Sequence, residues 1–196
     1  MASEMNSRPL VVKVGGSLFD SADLGPKLRV WLSRLPTSQV VLVPGGGDSA
    51  DVVRKLDCCH RLGEERAHWL ALAALRLNAC FLEAILGPAR VVDDLDGCQD
   101  AWKNGLYGIL DALQFALQDE HELGALPHLW SVTSDSIAAR LAHVLGAREL
   151  VLLKSVAIPS DLTWKKASEQ GLVDAFFDRA ASGLNVGVVN FRDWRP

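Results

Sequence analysis

The sequence lacks a strong excess of charge of either sign, and it lacks any long uninterrupted apolar run. Its 196 residues include 20 basic and 24 acidic side chains, a formal net charge of −4, so its charge does not favour binding to nucleic acid or to an anionic membrane. Its apolar runs are far shorter than the roughly 18–20 residues of a membrane-spanning helix. Residues 1–8 are short and polar, and we expect a frayed or disordered start and no signal peptide.

Metal-binding and redox motifs are also missing. The cysteines form no C-x-x-C pair and no histidine stands in an H-E-x-x-H spacing, which argues against a zinc, redox or histidine metal site. We interpret the cysteines as structural residues of a reduced, cytoplasmic protein. They are Cys58, Cys59, Cys80 and Cys98. We also interpret Trp69 and Trp130 as packing residues.

Hydrophobic residues, by contrast, are plentiful. They make up 49% of the chain against 22% charged residues, which supports a sizeable core and excludes global disorder. We predict one domain over 9–196, in which short apolar runs alternate with helical periodicity. The predicted strands are 10–14, 40–43, 89–92, 149–153 and 185–190; the predicted helices are 23–35, 47–56, 64–86, 134–145 and 175–181, and 110–118 is predicted as a strand end running into a helix. This alternation predicts an α/β fold with helices on both faces of a mainly parallel sheet.

Two glycine-rich loops each follow a predicted strand and precede a helix. The first is Lys13-Val14-Gly15-Gly16-Ser17, and the second begins Pro44-Gly45-Gly46-Gly47-Asp48. Glycines let backbone N–H groups approach a ligand, and the helix N-terminus behind each loop favours an anion, phosphate above all. Neither loop matches the Walker A sequence or G-x-G-x-x-G. The alternative is that the glycines only make tight strand–helix turns.

Three charged residues are candidates for chemistry at these loops. Lys13 interrupts an apolar strand, so its ammonium either meets an anion or reaches solvent at the strand end. Lys154 directly follows another apolar strand and is expected at the same sheet edge. Asp135 lies near a helix start, where it or Ser134 would by itself be interpreted as an N-cap. Two lysines neutralising a transferring group, and an aspartate holding them in place, suit phosphoryl transfer.

The motifs K-x-G-G-S, P-G-G-G-x-x-A-D and S-D-S-I-A-A occur in this order, and over residues 9–154 the chain resembles the amino acid kinase superfamily. The resemblance implies a three-layer αβα sandwich with a central, mainly parallel sheet. Within the superfamily, the chain is similar to the small aminomethylfuran-methyl phosphate kinases of the methanofuran pathway. Similar small kinases occur in bacteria with tetrahydromethanopterin-linked one-carbon metabolism. The segments that carry this closer similarity begin at His68, Pro127 and Thr163.

The resemblance also implies an activity and the residues that perform it. It implies an ATP-dependent kinase with a small-molecule acceptor, with Mg²⁺ held mainly by the nucleotide phosphates, and a homodimer formed through the long helix 64–86. The implied catalytic residues are Lys13 and Asp135. Lys154, which matches no family motif, is a third catalytic candidate because of its position directly after the strand at 149–153. The implied phosphate-binding residues are Gly15, Gly16, Ser17, Gly45, Gly46 and Gly47, and Lys165 is a further candidate for cofactor binding. The candidate acceptor-binding residues are Asp51, Arg54 and Ser134; the alternative for Arg54 is a solvated helix face.

One part of the chain departs from the family pattern. After the strand at 149–153, family members often carry a Thr-Asp or Asp-x-x-Gly stretch that helps to hold the nucleotide, whereas this chain has Lys154-Ser155-Val156-Ala157-Ile158-Pro159. The nucleotide side after about residue 150 is therefore expected to be shortened. Lys154, Lys165 or Lys166 could substitute for the family's second catalytic lysine, although none of them matches its motif. Two alternatives stay open: a non-catalytic nucleotide- or anion-binding protein on the same fold, and a subunit that works with a partner protein.

Overall fold

The computed structural model describes residues 8–196, so the predicted frayed start lies, apart from Arg8, outside the described residues. Within these residues, six strands form one sheet in the order β3-β4-β2-β1-β5-β6, and every neighbouring pair is parallel. The strands are β1 Leu10–Val14, β2 Val40–Pro44, β3 Ala89–Val92, β4 Tyr107–Leu110, β5 Glu149–Lys154 and β6 Val186–Asn190. The predicted parallel α/β sheet is confirmed.

Eight α-helices in the described residues connect and cover these strands. They are α1 Leu24–Ser33, α2 Gly47–His60, α3 Glu64–Leu86, α4 Leu95–Lys103, α5 Ala112–Asp119, α6 Ser134–Val144, α7 Trp164–Glu169 and α8 Phe177–Ala180. The helix predicted at 47–56 continues four residues further, and the segment at 110–118 resolves into the end of β4 followed by α5, which Asp111 caps through Leu113 and Gln114. Helices α4 and α7 were not predicted from the sequence.

The strands contribute alternate side chains to two separate cores, one on each face of the sheet. Val11 faces the core that is built with α4, α5 and α6, whereas its neighbour Val12 faces the core built with α1 and the second half of α3. Both faces are therefore covered, which explains why the strands are apolar without alternation. The arrangement is the predicted three-layer αβα sandwich.

By length and composition alone, α3 would be long and apolar enough to cross a membrane. In this fold it packs against α2, α5 and strands β2, β3 and β4. Eight of its side chains are buried, including the polar residues His68 and Asn78. The helix therefore contributes one face to the protein core, and its polar buried residues point to a role in a site.

Candidate active site

The two glycine loops touch each other at the carboxyl edge of the sheet. A Cβ atom on Gly16 would lie 2.2 Å from the backbone nitrogen of Gly47, and one on Gly45 would lie 2.3 Å from that of Gly16. Gly47 also has a φ of +50°, a conformation that favours glycine. Only glycine fits these positions, because any side chain would force the two loops apart.

The loop contact leaves backbone N–H groups free to bind an anion. No described residue accepts a hydrogen bond from the N–H of Gly16, Gly46 or Gly47, and α2 starts without a side-chain cap. Unpaired N–H groups at a helix start, together with the positive end of the helix dipole, attract phosphate and carboxylate groups. The two loops thus form a cradle suited to a phosphate group.

Asn78, in the middle of α3, holds the second loop in place. Its Nδ2 donates hydrogen bonds to the carbonyl oxygens of Gly45 and Gly46, at 2.7 and 2.8 Å, and its Oδ1 accepts one from Ser49. All of its main hydrogen-bonding directions are used, which accounts for an amide buried in an otherwise apolar helix face. Sequence reasoning missed this residue.

Lys13 and Lys154 meet at one buried carboxylate, that of Asp135. Lys13 Nζ lies 2.9 Å from Oδ1 of Asp135, and Lys154 Nζ lies 2.9 and 2.7 Å from its two oxygens. Lys13 pairs with Leu152 across the β1–β5 ladder. Because Lys154 is two residues beyond Leu152, Lys13 and Lys154 both lie on the face of the sheet that α6 covers. The alternatives of a solvent-reaching Lys13 and a capping Asp135 are therefore wrong.

Burial and mutual charge shift the protonation of this trio. Burial alone would raise the pKa of Asp135, but the two lysine charges and their hydrogen bonds outweigh it and hold that pKa below its usual value. Burial, with the nearby charge of Lys13, lowers the pKa of Lys154 to about 8, although Asp135 opposes the shift. The trio carries one more positive than negative charge below that pH, and this surplus attracts an anion.

Asp174, which the sequence did not reveal, fixes the start of α6. Its carboxylate accepts hydrogen bonds from the backbone N–H and hydroxyl of Thr133, from the N–H and hydroxyl of Ser136, and from the N–H of Phe176. Burial, together with the charge of Asp135, raises the pKa of Asp174, and the bonds from Ser136 oppose this. Asp174 therefore does the capping for the turn that carries Ser134 and Asp135.

A cavity of about 210 Å³ opens beside the cradle. Its size is below the ~300–1,000 Å³ of sites for drug-sized ligands, so it suits a small molecule. Lys13 and the glycine loops line one part of it, and the remaining wall is mostly apolar. The lining residues are Lys13, Gly16, Ser17, Gly46, Gly47, Ala50, Arg54, His68, Ala71, Leu72, Leu75, Trp130, Val132, Thr133, Ser134 and Ile137.

The structure brings Arg54 and Ser134 to this cavity, as well as Trp130, which the sequence indicated only as a packing residue. The Arg54 guanidinium lies 5.3 Å from the Trp130 ring centre, and Trp130 Nε1 donates to Asp57 at 3.0 Å. Asp51 is exposed and pairs with Arg54. These contacts hold an arginine at the cavity rim, where it can bind an anionic group.

Two further predicted cofactor-binding residues, Ser17 and Lys165, lie in different surroundings. The hydroxyls of Ser17 and Ser155 lie 2.7 Å apart, so the first loop is joined to the segment after β5. Lys165 is exposed on α7 and does not line the cavity. Within residues 8–196 no group of three histidine, cysteine or acidic side chains is placed to hold a metal ion.

The chain is similar in sequence to proteins of known family. A model of the amino acid kinase family matches residues 8–157. A relative from Methanocaldococcus jannaschii, named [5-(aminomethyl)furan-3-yl]methyl phosphate kinase, is 25% identical over 184 residues, which is 93% of this chain and 74% of the relative.

Solved structures share the fold. A uridylate kinase from Archaeoglobus fulgidus superposes with a TM-score of 0.65 at 18% identity, covering 92% of this chain and 90% of its own. A UMP kinase from Ureaplasma parvum gives 0.61 at 18% identity, covering 92% and 88%. At these identities the likeness concerns the arrangement of strands and helices, and the resemblance inferred from the three motifs is confirmed at that level.

Proposed function

This chain belongs to the amino acid kinase family and is a small-molecule kinase, and from that premise we propose that it transfers the γ-phosphoryl group of ATP to the phosphate group of a small acceptor. The acceptor we favour is the kind named in its Methanocaldococcus jannaschii relative, an aminomethylfuran-methyl phosphate. An acceptor phosphate oxygen would attack the γ-phosphorus, the bond from that phosphorus to the β–γ bridging oxygen would break, and ADP would leave.

The observation that carries this proposal is the pair of lysines on one buried carboxylate, beside unpaired backbone N–H groups. Phosphoryl transfer needs positioning and neutralisation of charge more than covalent chemistry. Lys13 and Lys154 supply two ammonium groups, and Asp135 orients both. Because these groups are buried and already aligned, they need little reorganisation when phosphate charge develops.

The glycine loops and the cavity would bind the phosphate groups and the acceptor. The N–H groups of Gly16, Gly46 and Gly47 suit phosphate oxygens, and Arg54 suits the charge of the acceptor at the rim. The apolar wall from Leu72 to Leu75 suits an uncharged ring. Mg²⁺, when bound with the nucleotide, would supply neutralisation of the phosphate charge.

Titration calorimetry with ATP and Mg²⁺, followed by ³¹P NMR of the reaction with the furan phosphate, tests the proposal. We expect saturable binding by the wild type, and in Lys13→Ala a rate of transfer lower by about 10²- to 10³-fold. Lys103→Ala is the matched control, because Lys103 lies at the opposite edge of the sheet beside Pro9 and Gln39. Lys165→Ala should be measured in the same way. Weaker ATP binding by this variant than by the wild type would indicate that the nucleotide lies against α7.

Two outcomes would replace the proposal with the alternatives. Binding of ATP without transfer to any small acceptor would indicate a non-catalytic nucleotide-binding protein. The absence of ATP binding by the wild type would favour a subunit that needs a partner protein.

We also infer a homodimer formed through α3, in a cytoplasmic protein. Leu70, Leu77 and Phe81 are 44%, 62% and 44% exposed, and their spacing of seven and four residues puts them on one face of the helix. Exposed apolar faces of this kind commonly mark interfaces. The free thiols of Cys58, Cys59 and Cys80 are exposed, which suits a reducing compartment.

A further inference from the structure

His68 lines the cavity seven residues before Leu75, the side chain of α3 that lies next to Gly46 of the second loop. It lies in the second turn of α3, and Ala71, Leu72 and Leu75 continue the cavity wall along the same helix. Asn78, which binds the second glycine loop, is ten residues further on, and at 1.5 Å per residue this separation is about 15 Å along the helix axis. A molecule with a phosphate in the cradle would therefore extend towards the imidazole.

The hydrogen bonding of His68 identifies which ring nitrogen can meet a ligand. Nδ1 lies 3.2 Å from the carbonyl oxygen of Leu129. A carbonyl oxygen only accepts, so Nδ1 carries the hydrogen. Burial lowers the pKa of His68 to about 4, although the bond to Leu129 opposes the shift, so the ring is neutral at pH 7 and Nε2 is an acceptor. No described residue donates to that Nε2.

Two aromatic neighbours fix the orientation of this ring. The His128 ring stacks on it with centres 5.4 Å apart and planes at 23°, and the Trp69 ring meets it edge-on with centres 6.1 Å apart. The direction of the Nε2 lone pair is therefore set by packing before a ligand arrives, which reduces the entropic cost of binding.

The charges of the cavity wall limit what this acceptor can recognise. The charged side chains among its lining residues are Lys13 and Arg54, both cationic, and no carboxylate lines it in the described part of the chain. An anionic group of a ligand is thus bound near Lys13 or Arg54. A hydrogen-bond donor at the other end of the ligand meets the neutral imidazole and an apolar wall.

We propose that His68 is a specificity-determining residue of the acceptor site, whose Nε2 accepts a hydrogen bond from an amine group carried by the acceptor at the end remote from its phosphate. This inference rests on the proposed function, because it assumes that the cavity binds the phosphorylated acceptor. It assigns the acceptor class as small flat rings with a phosphate at one end and an N–H donor at the other.

A thermodynamic cycle that combines one mutation with one ligand modification tests the role of His68. The ligands are [5-(aminomethyl)furan-3-yl]methyl phosphate and the analogue (5-methylfuran-3-yl)methyl phosphate, and the proteins are the wild type and His68→Phe. We expect the wild type to bind the amine-bearing ligand about tenfold or more tightly than the analogue by calorimetry. His68→Phe should bind both ligands equally, with a higher KM and little change in kcat for the amine-bearing one.

Two further variants control for indirect effects. His68→Gln keeps an acceptor oxygen and should restore part of the preference for the amine, which also covers the case in which His68→Phe fails to fold. His121→Phe changes an exposed histidine outside the cavity wall and should leave both affinities unchanged.

Additive effects of the two changes would overturn the inference, because a direct contact requires that they be coupled. Failure of the wild type to bind either furan phosphate would also overturn it. In that case ATP–Mg²⁺ binding, measured separately, shows whether the kinase assignment has failed as well or only the acceptor assignment.

Discussion

Lys154 donates hydrogen bonds to both carboxylate oxygens of Asp135, at 2.9 and 2.7 Å, across 19 residues of chain. The contact joins the end of β5 to the first turn of α6, so the sheet and its covering helix share one ion pair. Asp135 also forms an ion pair with Lys13, so one carboxylate serves two ammonium groups. A bound phosphate would neutralise the positive charge that remains.

The lowered pKa of Lys154 predicts an alkaline limit to activity. As the pH rises through about 8, Lys154 loses its proton and with it the charge that stabilises the transferring phosphoryl group. We expect kcat/KM, which reports on the free enzyme, to fall about tenfold for each further pH unit. The measurement is a pH–rate profile between pH 6 and 10.

Lys154→Arg separates this cause from others. Arginine stays charged over that pH range, so the alkaline limb should move out of it even if the absolute rate is lower. An unchanged limb in Lys154→Arg would assign the titration to another group.

Replacing Asp174 should disturb both stability and catalysis. Asp174→Asn puts an amide NH₂ where the carboxylate accepts from Thr133 and Ser136, so at least one buried donor loses its partner, at a cost of about 1–3 kcal/mol. Because the same turn carries Asp135, we expect kcat to fall as well. Urea unfolding and steady-state kinetics measure the two effects.

The control for this change is Asp178→Asn, an exposed carboxylate on α8 close by in the chain. It should leave the free energy of unfolding and kcat near the wild-type values. A stable Asp174→Asn protein with normal kcat would show that the start of α6 does not depend on this cap.

Gly16→Ala should damage the phosphate cradle by steric means alone. The added Cβ would lie 2.2 Å from the backbone of Gly47, so the loops must separate, and overpacking of this kind costs about 1–3 kcal/mol. Calorimetry should show weak or no ATP binding, and thermal unfolding a lower Tm. Gly108→Ala is the control, because its Cβ would make ordinary contacts of 3.4 Å or more. Equal effects of the two changes would contradict the proposed cradle.

The exposed face of α3 predicts the assembly state. Leu77→Glu places a charge in the middle of the inferred interface, and sedimentation should show a monomer where the wild type is a dimer. Leu123→Glu changes an even more exposed leucine outside α3 and should leave the dimer intact. A wild-type monomer, or a dimer that tolerates Leu77→Glu, would exclude this interface.

The parts of the fold that could be predicted were those with local signals. Strand β1 is apolar apart from Lys13 because both faces of the sheet are covered. The bounds of α3 could be predicted because the helix is rich in alanine and leucine and ends at Gly87-Pro88. Lys13 stood out because a lysine inside such a strand needs a partner. The joint position of Lys13, Lys154 and Asp135 followed from the rule that strand ends share one sheet edge.

The parts that could not be predicted depend on contacts between distant segments. Helix α4 is only nine residues long and has two buried side chains, Cys98 and Ala101, so few apolar positions mark it in the sequence. Asp174 acts on Thr133 and Ser136, about 40 positions away along the chain. Asn78 and His68 looked like isolated polar residues of an apolar helix, and their roles appear only when α3 lies against the glycine loop and the cavity.

The pairing of Lys13 with Leu152 across the sheet has a consequence for the tolerance of this protein to insertions and deletions. Each residue along a strand faces the side opposite to its neighbour. Removing one residue inside β5 would turn Lys154 away from Asp135 into the aliphatic layer around Val14 and Leu28, and the site would lose a cation while the core gained a buried one. Insertions and deletions should therefore be tolerated in the connecting loops but not in β1 and β5. In these two strands, the alternation of side chains between the two faces determines which face the charged residues occupy.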